Sequence, residues 1–310
     1  NDILAGGMVR GKNSLRCSDM LNGLCNRLSI YARLIRIDKP VGIFLLLWPT
    51  LWALWMASEG LPDAKIFFIY LLGTFLMRSA GCAINDYADR EFDPLVKRTA
   101  GRPIANEEIA PWEALIIASV LSTIAFGLVL TLNLLTIKLS FLAMFLAVSY
   151  PYAKRLISIP QAYLGVAFSF GIPMAWASTG NHVPLVALIT MLGNLCWVLA
   201  YDTQYAMVDR DDDLKIGIKT TAILFGKFDV LWIIFFQSSF VVVMSIVGIM
   251  GGLGVFYFIG LACAAVGMAW QYPMIKTRSR EGCFKAFRHN NSIGGIVFLG
   301  LVIDLILASS

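Results

Sequence analysis

An all-α integral membrane protein with nine transmembrane helices is predicted by three features of the sequence. The first is composition: the 310 residues are 58% hydrophobic and only 15% charged, whereas soluble domains carry about a quarter charged residues. The second is a set of long runs, 41–58, 112–130, 231–270 and 292–303, with almost no ionisable side chain. The third is the sorting of basic residues into alternate loops.

A membrane-spanning helix needs roughly 20 apolar residues. On that measure the spans fall at 41–58, 66–88, 112–130, 134–152, 161–178, 185–207, 229–249, 252–272 and 291–308. The run 231–270 holds two of them, with Gly251-Gly252 as the turn. Pro49 and Pro173 lie inside spans, which membrane helices tolerate when neighbours satisfy the freed backbone. With these boundaries, twenty-two of the twenty-five Lys and Arg fall in the N-terminal arm or in the loops after spans two, four, six and eight. Only Lys65 and Lys138 lie on the opposite face, and Arg78 lies within a span. Basic loops stay in the cytoplasm, so the N-terminus is expected inside.

Residues 1–38 form a basic cytoplasmic arm, and 39–310 the transmembrane domain. The arm has no apolar core of the kind a secretory signal carries. Tyr31 to Lys39 is expected to form an interfacial helix. The six cysteines have no metal-ligand spacing, and the two histidines are far apart, which excludes a histidine-ligated zinc site. The lipid bilayer is the expected macromolecular partner, and nucleic acid is not.

Two acidic segments carry the chemistry. Asn85, Asp89 and Asp93 are spaced by four, as are Asp209 and Asp213. On a helix that spacing makes one stripe, leaving Asp86, Glu91, Asp211 and Asp212 pointing elsewhere. The plain reading is a pair of solvated charged loops. Against it, both segments end a span on the same side, four helices apart, and each is followed by a basic residue and a threonine (Lys97-Arg98-Thr99, Lys219-Thr220). This faint repeat suggests two four-helix units plus a ninth helix. Each stripe also has an ionisable residue two turns deeper, Arg78 and Asp202. Such groups are costly inside a membrane and face a cavity or a partner. Carboxylates without histidine or thiolate suit a hard ion such as Mg²⁺, which takes one or two carboxylates and completes its shell with water and phosphate. An anionic diphosphate would then be tolerated among the aspartates, with Arg98, Arg102, Lys154 and Arg155 available to its outer oxygens.

The segments LIRIDKPVGIFLLLWPTLWAL, RSAGCAINDYADREFD, VKRTAGRPI, YPYAKR and AYDTQYAMVDRDDDLKIGIKTTAILFG resemble the UbiA superfamily of intramembrane prenyltransferases. Within it they look like the 4-hydroxybenzoate polyprenyltransferase branch in its bacterial form, from about residue 31 onward. The resemblance implies transfer of a prenyl chain from polyprenyl diphosphate to the 3-position of 4-hydroxybenzoate, in ubiquinone biosynthesis at a bacterial inner membrane. It implies one Mg²⁺ on Asn85, Asp89 and Asp93 and another on Asp209 and Asp213. Tyr150 and Tyr205 match the family pattern, one turn before Lys154 and Asp209, where phenol rings would stabilise an allylic cation. Arg78 is expected to pair with the acceptor carboxylate. Asp202 is expected to orient Arg78 or the phenol, or to take the ring proton. A different aromatic acceptor, or a cation-coupled transporter, is the alternative reading.

Overall fold

The computed structural model describes residues 22–308 apart from 24, without the side chains of 154–156. The basic residues Arg10, Lys12 and Arg16 therefore lie outside the described residues. The described residues are helical throughout, with no strand. The principal helices are α1 (Val41–Ala57), α2 (Ala64–Ala88), α3 (Pro111–Val129), α4 (Leu134–Leu156), α5 (Pro160–Ser169), α6 (Gly171–Gly180), α7 (Leu185–Ile216), α8 (Asp229–Met250), α9 (Val255–Ala269) and α10 (Arg280–Ala308). Seven helical stretches are long and apolar enough to cross a membrane. Helix α1, at 17 residues, is shorter.

The fifth expected span is broken into α5 and α6. Pro173 lacks a donor N–H, and its ring clashes with the carbonyl four residues earlier, which is that of Ser169, the last residue of α5. The break lets the backbone at Gly171 press against Thr50 of α1, where a Cβ would not fit. Two helices run further than their apolar composition suggests. α7 continues nine residues beyond 207, and α10 begins eleven residues before 291. Their extensions are polar, so hydropathy could not detect them. The expected helix from Tyr31 to Lys39 is displaced. Helix covers 25–34, and Arg36 then adopts a left-handed φ of 58°. Its buried Ile30 and Leu34 pack with Ala80, Ala83, Ala114 and Ala118, which ties the segment to α2 and α3.

The core lies where α1, α7, α8 and α10 meet. Trp52, Trp197 and Phe240 are fully buried there, with the Trp52–Trp197 ring centroids 5.3 Å apart. Three indole N–H groups here have acceptors: Trp52 donates to the Gly294 carbonyl (3.2 Å), Trp197 to Asn290 (3.0 Å) and Trp48 to Asn291 (2.9 Å), whereas that of Trp55 is buried without one. Pairing of this kind replaces the water that the interior lacks. By contrast α3 and α4 expose Leu115, Ile116, Val120, Leu142 and Phe145 outward, a face suited to lipid rather than water. Asp304 is buried near the end of α10, and its carboxylate accepts from the backbone N–H groups of Gly254 (2.5 Å) and Phe256 (3.1 Å). It therefore caps α9 from a neighbouring helix.

Helices α9 and α10 approach closely at Gly260 and Gly300, where a Cβ on either would lie 2.9 Å from the other's Cα. Small residues of this kind let membrane helices touch at the backbone. Gly300→Val should destabilise the bundle by about 1–3 kcal/mol through overpacking, seen as a lower thermal midpoint in detergent.

Candidate active site

The helices enclose one large cavity of about 960 Å³. Its polar end is built from the end of α2, the 89–110 loop, the second half of α7 and the 217–220 turn. Phe126, Val129, Leu132, Phe141 and Met144 of the α3–α4 hairpin give the cavity an apolar stretch. Eleven of the thirteen expected site residues line it: Arg78, Asn85, Asp89, Asp93, Arg98, Arg102, Tyr150, Asp202, Tyr205, Asp209 and Asp213. The other two, Lys154 and Arg155, have side chains outside the described set.

The two acidic segments are held differently. Asp209 and Asp213 lie on one face of the continuous helix α7, both 7% exposed. Asn85 is the only member of the first motif well inside a helix, because α2 ends at Ala88. The i to i+4 ladder nevertheless persists for another turn: Asp89 N–H donates to the Asn85 carbonyl (2.9 Å), and Asp93 N–H to that of Asp89 (2.8 Å). Asp93 then opens a short 3-10 turn, pinned by Thr99 Oγ1, which donates to its carbonyl (2.9 Å). The helical stripe expected over 85–93 is thus made by a helix end and a fold-back loop.

Guanidinium groups occupy the carboxylates. Arg98 makes a fork on Asp209, with Nε 3.0 and 2.9 Å from the two oxygens and Nη2 at 2.5 Å. The same guanidinium lies over the Tyr205 ring at 4.4 Å. Arg102 donates to Asp93 (2.7 Å) and lies 3.1 Å from Asp86. Burial pushes the Asp93 carboxyl above its ordinary range, and the Arg102 charge only partly offsets this. Asp86 was expected to point away. It does not line the cavity, but it is 1% exposed rather than solvated and also accepts from Arg36 (2.7 Å). Helical spacing excluded Asp86 because it lies one residue off the stripe. Its partner Arg36 sits fifty residues away, and only the tertiary fold brings the two together.

Deeper in the cavity, Arg78 donates to Cys82 Sγ (3.1 Å) and stands 5.9 Å from the Phe168 ring centroid. Its Nε is buried without a hydrogen-bond acceptor. It makes no ion pair among the described residues, and Asp202, within electrostatic reach, lines the same cavity. The Tyr205 ring is backed by Phe287 at 4.5 Å, which fixes its orientation.

Among the described residues, no three carboxylate, imidazole or thiol groups converge closely enough to hold a metal ion as they stand. The donor set still fits a hard cation. Asn85, Asp89, Asp93, Asp209 and Asp213 offer only oxygen, and the Asn85 Oδ1 is buried without a hydrogen-bond donor. An amide oxygen left bare in a buried site costs free energy unless a ligand satisfies it.

The UbiA prenyltransferase family model matches residues 46–293. This chain belongs to that family. It is 58% identical over 280 residues to a 4-hydroxybenzoate octaprenyltransferase of Cupriavidus pinatubonensis, an alignment covering 90% of this chain and 98% of the relative. Among solved structures it is similar to the apo structure of a UbiA homolog from Aeropyrum pernix, at TM-score 0.74 and 25% identity, covering 85% of this chain and 97% of that one. It also shares the fold of a UbiA homolog from Archaeoglobus fulgidus solved with GPP and Mg²⁺, at TM-score 0.66 and 17% identity, covering 89% and 99% of the two chains.

If the bare Asn85 oxygen serves a cation, Asn85→Leu should leave the unliganded thermal midpoint unchanged or raise it. It should weaken stabilisation by magnesium with pyrophosphate about tenfold in ligand concentration, measured as midpoint shifts across a titration.

Proposed function

We propose that this protein transfers a polyprenyl group from its diphosphate to the 3-position of 4-hydroxybenzoate, a step of ubiquinone biosynthesis, at the cytoplasmic face of a bacterial inner membrane. The relatives' name points to an octaprenyl donor. The observation that carries this reading is the cavity itself: it joins a cluster of carboxylates and guanidinium groups to an apolar channel, matching a donor that is a dianion or trianion at one end and hydrocarbon at the other. A transported solute would not require that combination.

Nine spans with the N-terminus inside follow from two additions to the seven long apolar stretches. Helix α1 counts as one span, and the broken pair α5–α6 as another. The basic residues then fall on the polar side of the cavity. The basic arm of residues 1–38 would lie on that same side.

The reaction breaks the C1–O bond of the allylic diphosphate, forms a bond from C1 to ring C3, and releases the C3 proton. Magnesium bound to Asn85, Asp89, Asp93, Asp209 and Asp213 would supply charge neutralisation and leaving-group polarisation. The chain's own residues do the rest. Arg98 and Arg102 each hold an aspartate through a hydrogen-bonded guanidinium and can turn to the phosphate oxygens; Lys219 lines the same cavity, and Lys154 and Arg155 are proposed for the same role from the sequence alone. Tyr205 and Tyr150 line the cavity and would stabilise the allylic cation, cation–π attraction being worth about 0.5–2 kcal/mol. That Arg98 already lies over Tyr205 supports this use of the ring. Arg78, with unspent donors and no carboxylate partner, is the residue for the acceptor carboxylate. Asp202, which lines the same cavity, would orient it or accept the ring proton.

Membranes carrying the protein should release pyrophosphate only when octaprenyl diphosphate, 4-hydroxybenzoate and a divalent ion are all present. Asp89→Asn and Asp209→Asn should each reduce the rate at least about 100-fold, and full activity in either would sink the metal assignment. Arg78→Gln should raise KM for 4-hydroxybenzoate about tenfold or more, since it removes a charge-assisted hydrogen bond, while KM for the donor stays put. A change confined to the donor would move the acceptor site elsewhere.

A further inference from the structure

Asp86 is buried, lies beside the cavity and belongs to neither oxygen set assigned above. Its Oδ1 takes two guanidinium partners, Arg36 at 2.7 Å and Arg102 at 3.1 Å. Its Oδ2 is buried with no hydrogen-bond donor. One negative charge therefore faces two positive ones, and Arg102 completes its pairing through Asp93 at 2.7 Å. Arg36 reaches this position from a left-handed backbone turn, φ 58°, a conformation that L-residues other than Asn and Asp seldom adopt. That turn ends the helix over 25–34 with the Ile37 N–H donating to the Ala32 carbonyl (3.1 Å) and the Arg36 N–H to that of Arg33 (3.2 Å), and it aims the Arg36 side chain at Asp86.

We propose that Asp86 is the fixed anchor that keeps the guanidinium groups of Arg36 and Arg102 facing the cavity whatever Asp93 binds, and so is a positioning residue for the diphosphate. The physical argument is one of charge. With Asp93 paired to Arg102, the four groups are balanced. Once Asp93 is engaged elsewhere, Asp86 alone cannot neutralise both arginines. The excess positive charge then belongs to a site that takes an anion. Without Asp86, Arg102 would lose its second partner and Arg36 its only one among the described residues. Two long side chains near the cavity mouth would then regain rotamer freedom. Asp86 touches neither reactant in this scheme; it acts through the arginines.

The inference deepens the prenyl-diphosphate reading and rests on it. The test uses the full chain purified in detergent. Asp86→Asn keeps the shape and an acceptor oxygen but removes the charge. It should raise KM for the polyprenyl diphosphate about tenfold, and weaken stabilisation by magnesium with inorganic pyrophosphate to match. KM for 4-hydroxybenzoate should stay within about twofold. Its effect should shrink but not vanish in an Arg102→Gln background, because the Arg102 share of the loss is then already taken while Arg36 still loses its anchor. Asp86→Glu should recover part of the loss. Unchanged donor KM, a loss confined to kcat, or penalties that add fully with Arg102→Gln would overturn the proposal. If Asp86→Asn does not accumulate, the charge-balanced Arg36→Gln/Asp86→Asn double variant takes its place, and an unchanged donor KM there overturns it equally. Wild-type protein that gains no stability from magnesium with pyrophosphate would sink the diphosphate reading itself, whereas a normal wild-type response with an unaffected Asp86→Asn sinks only the anchor.

Discussion

Arg98 and Asp209 meet in a fork of three hydrogen bonds at the inner wall of a cavity that is otherwise largely hydrocarbon. Every other charged group at that end is arranged around the same constraint. Buried carboxylates cannot stand alone, since removing an ion from water costs several kcal/mol even after relaxation. The chain answers with arginines drawn from the N-terminal segment and the 89–110 loop, so that Asp93, Asp86 and Asp209 are neutralised from within. Such pairs contribute little net stability, because desolvation offsets most of the attraction. Within the site the attraction is strong, and breaking one such pair from one side costs about 3–5 kcal/mol, so on the proposed assignment the acids would pass to a cation and the arginines to an anion together.

The second constraint is the orientation of α7. Five amide and indole side chains form a buried chain behind the cavity wall: Gln237 and Gln204 both donate to Gln271 (2.7 and 2.6 Å), Asn290 donates to Gln204 (2.9 Å), and Trp197 donates to Asn290 (3.0 Å). In a bundle surrounded by lipid, rotating α7 would strand these groups without water to replace the partners. With Trp197 and Gln204 fixed to the back, the remaining faces of the same helix carry Tyr201, Asp202, Tyr205, Asp209 and Asp213 toward the cavity. The cavity-facing side of α7 is thus held by a polar network behind it, which touches it through the Trp197–Tyr201 ring contact at 5.3 Å.

Much of this was legible in the sequence, for identifiable reasons. Apolar runs and the sorting of Lys and Arg report directly on the solvent that each segment meets, so every expected span has a helical counterpart. Helical spacing placed Asn85, Asp89, Asp93, Asp209 and Asp213 on one cavity, and the seven-residue offset found Arg78 and Asp202. What escaped was whatever depended on polar helix ends or on distant pairing. The extensions of α7 and α10 are charged, so hydropathy ended them early. The break at Phe170 follows from Pro173 and its steric effect one turn earlier, which a hydropathy window does not register. Asp86 was set aside because periodicity judges a residue by its own helix, and its partners come from residues 36 and 102.

The two acidic segments look equivalent as strings of residues, yet the fold makes them unequal, and that inequality bears on how the site works. Asp209 sits inside α7 and Asp213 in its last turn, where its carbonyl accepts from the N–H groups of Gly217 and Ile218, on a helix whose rotation is fixed by the amide chain behind it. Asp89 and Asp93 sit where α2 gives way to a loop, and Asp93 is fastened by Thr99 and Arg102, both of the same loop. Loop backbone rearranges at lower cost than the middle of a packed helix. If these residues hold a metal and a diphosphate as proposed, the α7 pair is the more fixed side and the α2 pair the one whose oxygens can adjust. The loop carrying Asp93 also carries Arg98 and Arg102, so the proposed cation and anion ligands share one segment of about twenty residues, 89–110, tied to α7 through Arg98 and Asp209.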